Sequence, residues 1–127
     1  EAAKYLAKGL RESGYTVEWL LAEASVARLH LLCPDPWPKA RHHRRRLIQP
    51  AFVAAVARVL APGGEFLFKS DDADYCEWAR ECIGACPALA PVAWPEQAFF
   101  HPLTDFERQW LAEGRTIHRL RWRKAGA

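Results

Sequence analysis

The sequence has no apolar run of the length a membrane span needs, about 20 residues, and no signal-peptide pattern opens it. Its four cysteines include no Cys-x-x-Cys pair. Reduced thiols are therefore expected, rather than a metal site or a disulfide framework. Together these absences predict a cytoplasmic protein.

A glycine-rich turn of the GxGxG type is also absent. Such a turn, placed between a strand and a helix, holds the phosphate or carboxylate of a cofactor. The pair Gly63-Gly64 follows a predicted helix and precedes a predicted strand, which is the wrong order for that role. No cofactor turn of this type is predicted.

The chain of 127 residues can bury one hydrophobic core, so we expect one domain. Hydrophobic residues make up 50% of it and charged residues 26%, as in a folded protein. The net charge is only +3, but five of the 18 Lys and Arg residues fall in 39–46 and five more in 115–124. Local basic clusters of this kind indicate a polyanionic partner.

Helical and strand patterns alternate along the chain, which predicts an α/β sheet layered by helices. Helices are predicted over 2–11, 47–60, 72–86 and 103–113, strands over 17–21, 26–33, 65–69 and 116–122, and an irregular segment over 87–102. Ligands of such sheets bind outside the carboxyl ends of the strands. We expect three acidic residues at that edge: Glu23, Asp35 and Asp71.

The segment 34–46, with the sequence PDPWPKARHHRRR, carries the strongest functional signal. Proline fixes its own φ and restricts the residue before it, so Asp35 and Trp37 are predicted to lie in a stiff, extended loop. A rigid acid and a flat ring beside cations suit a planar, hydrogen-bonding ring on a phosphate backbone. That description fits a nucleobase.

The basic residues of this segment are predicted to bind the phosphates and ribose of that partner. They are Lys39, Arg41, His42, His43, Arg44, Arg45 and Arg46. A solvated helix start is the alternative, but cations at the N-terminal turn of a helix oppose its dipole, which favours a negative partner. A metal site at the two histidines is not expected, because no third ligand is suitably spaced.

The stretch from Pro34 to Phe52 resembles the signature of the bacterial tRNA (guanine-N7)-methyltransferases, which are class I S-adenosylmethionine-dependent enzymes. Residues 17–24 resemble the family's strand whose terminal acid contacts the adenine of the cofactor. Residues 60–64 resemble the turn before its next strand, and Ser70-Asp71 its Thr-Asp pair. Residues 104–107 resemble its Thr-x-Phe-Glu element.

The resemblance implies a Rossmann-like class I methyltransferase fold, with a mostly parallel sheet and helices on both faces. The family's first strand and GxGxG turn have no counterpart, so we expect a partial domain over 1–127, truncated at the N-terminus. The implied cofactor is S-adenosylmethionine, contacted by Glu23 and Asp35. The implied partner is tRNA, bound by a monomer or a homodimer. Further substrate contacts are implied for Asp71, Thr104, Asp105, Phe106 and Glu107.

Guanine N7 carries a lone pair and no proton, so its methylation needs no general base, and catalysis is mainly positioning. Asp35 is the predicted catalytic residue, because a carboxylate can accept from both N1–H and N2–H₂ of guanine. Structural roles compete: a turn cap for Asp35, a helix N-cap for Asp71, and a capping box for Thr104 with Glu107. Trp37 could stack on a base or pack against its own loop.

Two other functions are compatible with the sequence. A non-catalytic RNA-binding remnant would keep the basic segment and lack cofactor binding. An amino-methyltransferase acting on adenine or cytosine is suggested by the PDPW string, which resembles the DPPW or NPPY loop of those enzymes. The loop order differs and the RHHRRR string is foreign to that group, so this last function ranks lowest.

Overall fold

A computed structural model describes residues 3–6, 16–94 and 105–126. Within these residues, five strands form a single sheet in the order β1-β2-β3-β5-β4. The strands are β1 Ala3–Leu6, β2 Val26–Leu32, β3 Leu60–Ser70, β4 Leu89–Val92 and β5 His118–Lys124. The α-helices are α1 Pro50–Val59, α2 Ala73–Gly84 and α3 Asp105–Ala112.

Strands β1, β2 and β3 are parallel, whereas β5 is antiparallel to both of its neighbours, β3 and β4. The register places Leu32 of β2 and Arg119 of β5 on either side of Lys69, near the carboxyl end of β3. The α/β sheet predicted from the sequence is confirmed, and among the described residues it is mixed, with two parallel and two antiparallel strand pairs.

One face of the sheet forms the hydrophobic core, because alternate residues of each strand point to the same side. Leu29, Leu31, Phe66 and Phe68 are buried there with Trp122, beneath the apolar faces of α1 and α2. The Phe66 and Trp122 rings stack with centroids 5.9 Å apart. Each large apolar side chain buried in this way contributes about 1.5–3 kcal/mol to stability.

The opposite face of the sheet is highly charged. Glu65 lies on it among arginines of both neighbouring strands: Arg28, 4.0 Å away, Arg121, and Arg123 at 2.9 Å. Burial raises the pKa of Glu65, but hydrogen bonds from Arg121 and Arg123 outweigh it, and the net pKa is lowered. Helix α3 reaches this face through Glu107, which confirms that helices lie on both faces.

Two predicted elements are wrong in type. Residues 3–6, expected in a helix, form β1, where pairing with β2 overrides the helical spacing; residues 2 and 7–11 lie outside the described ranges. Residues 17–21, expected in a strand, fall largely in a π-helical turn over Thr16–Leu20. Val17 packs into the core there, and Arg58 Nη2 donates to the carbonyls of Val17 and Leu21. A short apolar run has the same sequence pattern in either structure.

The helix predicted over 47–60 begins later, at Pro50, which suits the first turn because its nitrogen has no proton to donate. The basic residues therefore do not lie on its N-terminal turn. Most of them lie in a separate 3₁₀-helix over Ala40–Arg45, and Lys39 and Arg46 flank this helix. Gln49 Nε2 joins the two elements by donating to the carbonyls of His43 and Arg46.

The bounds of the remaining elements differ from the predicted bounds by a few residues. Strand β3 begins directly after α1 and includes Gly64, where a Cβ atom would lie 2.9 Å from the Val26 carbonyl oxygen. The close approach of β3 to β2 therefore requires glycine at this position. Strand β4 lies in the segment predicted to be irregular, of which residues 95–102 are outside the described part, as are residues 103 and 104 of the last predicted helix.

Candidate functional site

The carboxyl ends of β2 and β3 bring together two of the three acids predicted at this edge. The backbone N–H of Cys33, the residue after β2, donates to the Lys69 carbonyl at 2.8 Å, so the two strands end side by side. Asp35 follows on the loop after β2, and Asp71 follows β3 directly. Their predicted placement at one edge is confirmed.

Glu23 is not at this edge, and its predicted placement is wrong. The next residue, Ala24, donates its N–H to the Arg58 carbonyl, and Ser25 donates to that of Val59, at the amino end of the parallel strands. Glu23 is exposed there, before β2 rather than after a strand. The seven residues of β2 separate it from Asp35 by roughly 20 Å.

The loop after β2 holds Asp35 in a hydrogen-bonded turn. Asp35 is exposed, and its Oδ1 accepts from the backbone N–H of Trp37 at 3.1 Å. Trp37 has φ of 43°, so the extended conformation predicted for this residue is wrong. The turn-capping role considered for Asp35 is present, and it occupies one oxygen of the carboxylate.

The 3₁₀-helix sorts the basic segment into faces, because side chains three residues apart eclipse one another in this helix. Arg41 and Arg44 share an exposed face, where Arg44 Nη1 donates to the Arg41 carbonyl at 2.8 Å. His42 and Arg45 share the face toward Trp37. The four exposed cations form what we call the outer basic cluster: Lys39, Arg41, Arg44 and Arg45.

Trp37 packs within this segment. The Arg45 guanidinium lies 5.1 Å from the centre of its ring, and the His42 ring meets it edge-on at 5.8 Å. Of the two roles considered for Trp37, packing against its own loop is the one present.

Arg46 does not belong to the outer basic cluster, and its predicted exposure to phosphates is wrong. Its side chain is 0% exposed. Nε donates to the Pro36 carbonyl at 2.7 Å, and Nη2 donates to Asp74 Oδ2 at 2.8 Å. The guanidinium lies over the rings of Tyr75 and Trp78, at 4.9 and 5.1 Å.

His43 also faces inward, from within the 3₁₀-helix, whereas Arg46 is the extended residue that follows this helix. Its Nε2 lies 3.2 Å from the Pro38 carbonyl oxygen and 3.8 Å from Asp74 Oδ2. Its ring meets Trp78 edge-on, with centroids 5.6 Å apart. The predicted phosphate contact is therefore not favoured for this side chain.

Asp71 pairs with a cation rather than capping a helix. Arg115 Nη1 lies 3.1 Å from Asp71 Oδ2. The N-cap of α2 is the next residue, Asp72, whose Oδ1 accepts from the Tyr75 N–H at 2.7 Å. The N-cap role considered for Asp71 is therefore wrong, and its carboxylate faces the edge.

Glu107 lies in a buried ion network. Lys69 Nζ lies 2.8 Å from its Oε1 and Arg119 Nη2 lies 2.8 Å from its Oε2, and the side chains of Lys69 and Glu107 are both fully buried. Burial lowers the pKa of Lys69, and the bond to Glu107 opposes that shift. The thiol of Cys33 is nearby; burial, with the charges of Glu107 and Asp71, raises its pKa to about 11.

The other residues predicted around Glu107 are described only in part. Asp105 is exposed in the first turn of α3 and lies 3.4 Å from Arg108. The side chain of Phe106 and all of Thr104 lie outside the described ranges, so the capping box cannot be placed.

Sequence reasoning missed three basic residues at this edge: Lys69, Arg115 and Arg119. Lys69 interrupts an apolar strand, which is a usable signal, because a buried lysine needs a partner. Its partners are distant in sequence, and no local pattern indicates them.

The described ranges contain no group of His, Cys, Asp and Glu side chains able to hold a metal ion. Nor do they contain a helix long and apolar enough to span a membrane.

The fold and this edge define an α/β domain whose ligand site lies at the carboxyl ends of parallel strands, with acids on the loops and cations beside them. Residues 10–120 match the model of the family described as "Putative methyltransferase". The chain belongs to this methyltransferase family, and the family resemblance seen in the sequence is confirmed.

Relatives with assigned names are similar over much of the chain. The tRNA (guanine-N(7)-)-methyltransferase of Nitrobacter hamburgensis is 43% identical over 113 residues, which cover 82% of this chain and 43% of that protein. The enzyme of the same name from Caulobacter sp. strain K31 is 57% identical over 73 residues, covering 58% of this chain and 32% of that one. The chain thus spans less than half the length of these relatives.

Among solved structures, a SAM-dependent O-methyltransferase from Thermotoga maritima aligns with a TM-score of 0.49 at 12% identity. The alignment covers 91% of this chain and 39% of that chain. A likeness this distant says nothing about substrate or mechanism.

Proposed function

We propose that the protein containing this chain transfers a methyl group from S-adenosylmethionine to N7 of a guanine in tRNA. The names of its relatives support the reaction and the substrate. The observation that carries the proposal is the position of Asp35, an exposed carboxylate at the carboxyl edge of the sheet beside a cluster of exposed cations. A cytoplasmic location goes with this proposal.

In this proposal Asp35 binds the guanine. An ionised carboxylate has about four acceptor sites on its two oxygens. The Trp37 N–H takes one of them on Oδ1, so acceptor capacity remains for the N1–H and N2–H₂ donors of the base. Bound in this way, the guanine has a fixed orientation, which sets the direction of its N7 lone pair.

No side chain needs to remove a proton, because N7 carries none. The contribution of the protein is then to hold the base in the geometry of attack, which can supply a large part of the rate enhancement. The nearby Cys33 thiol is not suited to remove a proton either, because burial raises its pKa to about 11.

The outer basic cluster is proposed to bind tRNA phosphates near the modified guanine. Three of its four cations are arginines, whose planar guanidinium groups suit phosphate oxygens. The hydrogen bonds of Arg41 and Arg44 lie within the short helix, and all four side chains of the cluster are exposed to solvent. A polyanion can therefore bind them without breaking contacts that hold the fold together.

S-Adenosylmethionine supplies the methyl group when it is bound. Of the two residues predicted to contact it, Asp35 lies at the carboxyl edge and Glu23 lies at the opposite edge. Glu23 therefore does not fit the adenine contact. The described residues thus fit the substrate side of the site better than the cofactor side.

Asp71 and Asp105 are proposed to contribute further substrate contacts, on the family resemblance and on their accessibility. Asp71 would share its carboxylate between Arg115 and the substrate. A direct substrate contact for Glu107 is disfavoured, because its side chain is fully buried and each of its oxygens already binds a cation. Its place in the ion network makes an indirect role the simpler one.

The proposal is tested by incubating the whole protein with unmodified tRNA and S-adenosylmethionine, and mapping the product by chain cleavage at 7-methylguanine. Cleavage at one guanine is the expected result. Methyl transfer to an exocyclic amine instead would identify an amino-methyltransferase. Tight tRNA binding without any transfer would identify an RNA-binding remnant.

A further inference from the structure

The two inward-facing residues of the basic segment hold the loop that carries Asp35. Arg46 Nε donates to the carbonyl of Pro36 at 2.7 Å, and His43 Nε2 lies 3.2 Å from the carbonyl of Pro38. These two carbonyls lie on either side of Trp37. The loop is therefore fixed at two backbone carbonyls, by His43 of the 3₁₀-helix and by Arg46, the residue that follows this helix.

Both donors also reach helix α2. Asp74 Oδ2 lies 2.8 Å from Arg46 Nη2 and 3.8 Å from His43 Nε2, and the ring of Trp78 contacts both side chains. The Arg46 guanidinium lowers the pKa of Asp74 below its ordinary value, so the carboxylate stays ionised at neutral pH. The loop, the 3₁₀-helix and the first turns of α2 are thereby connected.

The contact of Arg46 with the loop is only one peptide away from Asp35. The peptide unit that joins Pro36 to Trp37 accepts from Arg46 through its carbonyl, and it donates through its N–H to Asp35 Oδ1 at 3.1 Å. This unit is planar, so fixing its carbonyl also fixes the direction of its N–H. The position of the Asp35 carboxylate therefore depends on Arg46.

Arg46 cannot serve as a phosphate contact while it holds this position. Its side chain is 0% exposed, and two aromatic rings cover the guanidinium. Burying a guanidinium is costly unless its donors are satisfied; here Nε binds a loop carbonyl and Nη2 a carboxylate, while Nη1 is buried without a hydrogen-bond partner among the described residues. Its bonds all lead to the loop and to α2, rather than to solvent.

We propose that Arg46, assisted by His43 and Asp74, is a positioning residue for guanine methylation that orients Asp35 through the Pro36–Trp37 peptide. This inference rests on the proposed function. We call the three residues the Arg46 clamp. Loss of the clamp should leave tRNA binding to the outer basic cluster intact but misplace the base, and misplacement by about 1 Å can cost on the order of a hundredfold in rate.

The test compares variants of the whole protein in methyl transfer to tRNA. Arg46→Gln should lower kcat by about tenfold or more, with little change in tRNA affinity or its salt dependence. Arg46→Lys, which keeps the charge but loses the planar fork, should recover part of kcat. Asp74→Asn should lower kcat less. Glu77→Gln, which removes another exposed carboxylate of α2, is the control and should leave kcat unchanged.

Two outcomes would overturn the proposal. One is an Arg46→Gln protein with normal kcat. The other is a loss of tRNA affinity with a shallower salt dependence, which would make Arg46 a phosphate contact. If Arg46→Gln does not fold, Asp74→Asn decides, because that side chain is 70% exposed and asparagine keeps an oxygen that can accept from Arg46 Nη2. A normal kcat in a folded Asp74→Asn protein would then reject the clamp.

Hydrogen exchange gives a second readout, which a general loss of stability would not reproduce. The Trp37 amide, bonded to Asp35, should exchange faster in Arg46→Gln, while amides of β2 and β3 keep their rates. If the unaltered protein transfers no methyl group, the proposed function fails. The clamp is then decided by exchange alone, and an unchanged Trp37 rate would overturn it.

Discussion

The outer basic cluster and the two basic residues of the Arg46 clamp occupy the same stretch of chain but have opposite environments. Lys39, Arg41, Arg44 and Arg45 are exposed, whereas His43 and Arg46 contact proline carbonyls, a carboxylate and aromatic rings. The 3₁₀ period of three residues places His43 on a different face from Arg44 and Arg45, and Arg46 follows the helix in extended backbone. A run of cations is therefore not a single binding surface, and the partners of each side chain decide its role.

In the ion network of Lys69, Glu107 and Arg119, by contrast, the side chains of Lys69 and Glu107 have no access to solvent. Glu107→Gln removes the charge that both cations face, and removing one partner of a buried pair typically costs about 3–5 kcal/mol. Chemical denaturation of the variant should show a loss of this size in the free energy of unfolding.

The control for this variant is Glu113→Gln, which removes an exposed carboxylate just after α3. Its stability should stay within about 0.5 kcal/mol of the unaltered protein. Equal stability of the two variants would mean that the network contributes nothing to the free energy of unfolding, and would contradict this prediction.

The outer basic cluster should affect tRNA binding and not folding. Replacing Arg44 and Arg45 together with Ala should weaken tRNA binding and reduce the slope of log affinity against log salt by about 1.4 to 1.8, for two lost phosphate contacts. The kcat at saturating tRNA should change little, in contrast to Arg46→Gln. A titration at several salt concentrations measures the slope.

Arg80→Ala is the matched control for this pair, because Arg80 is an exposed arginine of α2 that pairs with Glu77. Its salt slope should equal that of the unaltered protein. If the Arg44 and Arg45 variant keeps the full slope, the cluster lies outside the tRNA interface.

The smallest expected effect concerns the Cys33 thiol, whose pKa is raised to about 11 by burial and by the charges of Glu107 and Asp71. Its rate of alkylation should keep rising by about tenfold per pH unit beyond pH 9, since only the thiolate reacts. Glu107→Gln removes one of these charges and should shift the curve to lower pH. A plateau of the rate near pH 8 would contradict the described environment of Cys33.

The sequence predicted the features that depend on local pattern. The apolar strands ending near Cys33 and Ser70 were recognisable, and because parallel strands end at one edge, Asp35 and Asp71 were correctly expected together. The PDPW string also identified the loop and, through it, the family.

Features that depend on three-dimensional contacts were not predictable. The run 17–21 has the pattern of a short strand or a helical turn, and choosing the strand placed Glu23 at the wrong edge. Arg46 is separated from Arg45 because the 3₁₀-helix ends between them, and no residue type there specifies that end. The partners of Glu107 lie 38 and 12 residues away in the chain.

In the proposed mechanism the charge of the Asp35 carboxylate holds the guanine, in addition to capping the turn. Asp35→Asn separates these two roles, because asparagine keeps an oxygen for the Trp37 N–H but presents an amide group to the donors of the base. We predict that Asp35→Asn and Asp35→Ala both lower methyl transfer by at least about a hundredfold, with tRNA affinity little changed. Nearly normal transfer by Asp35→Asn, together with inactive Asp35→Ala, would show instead that Asp35 only shapes its loop and does not bind the base.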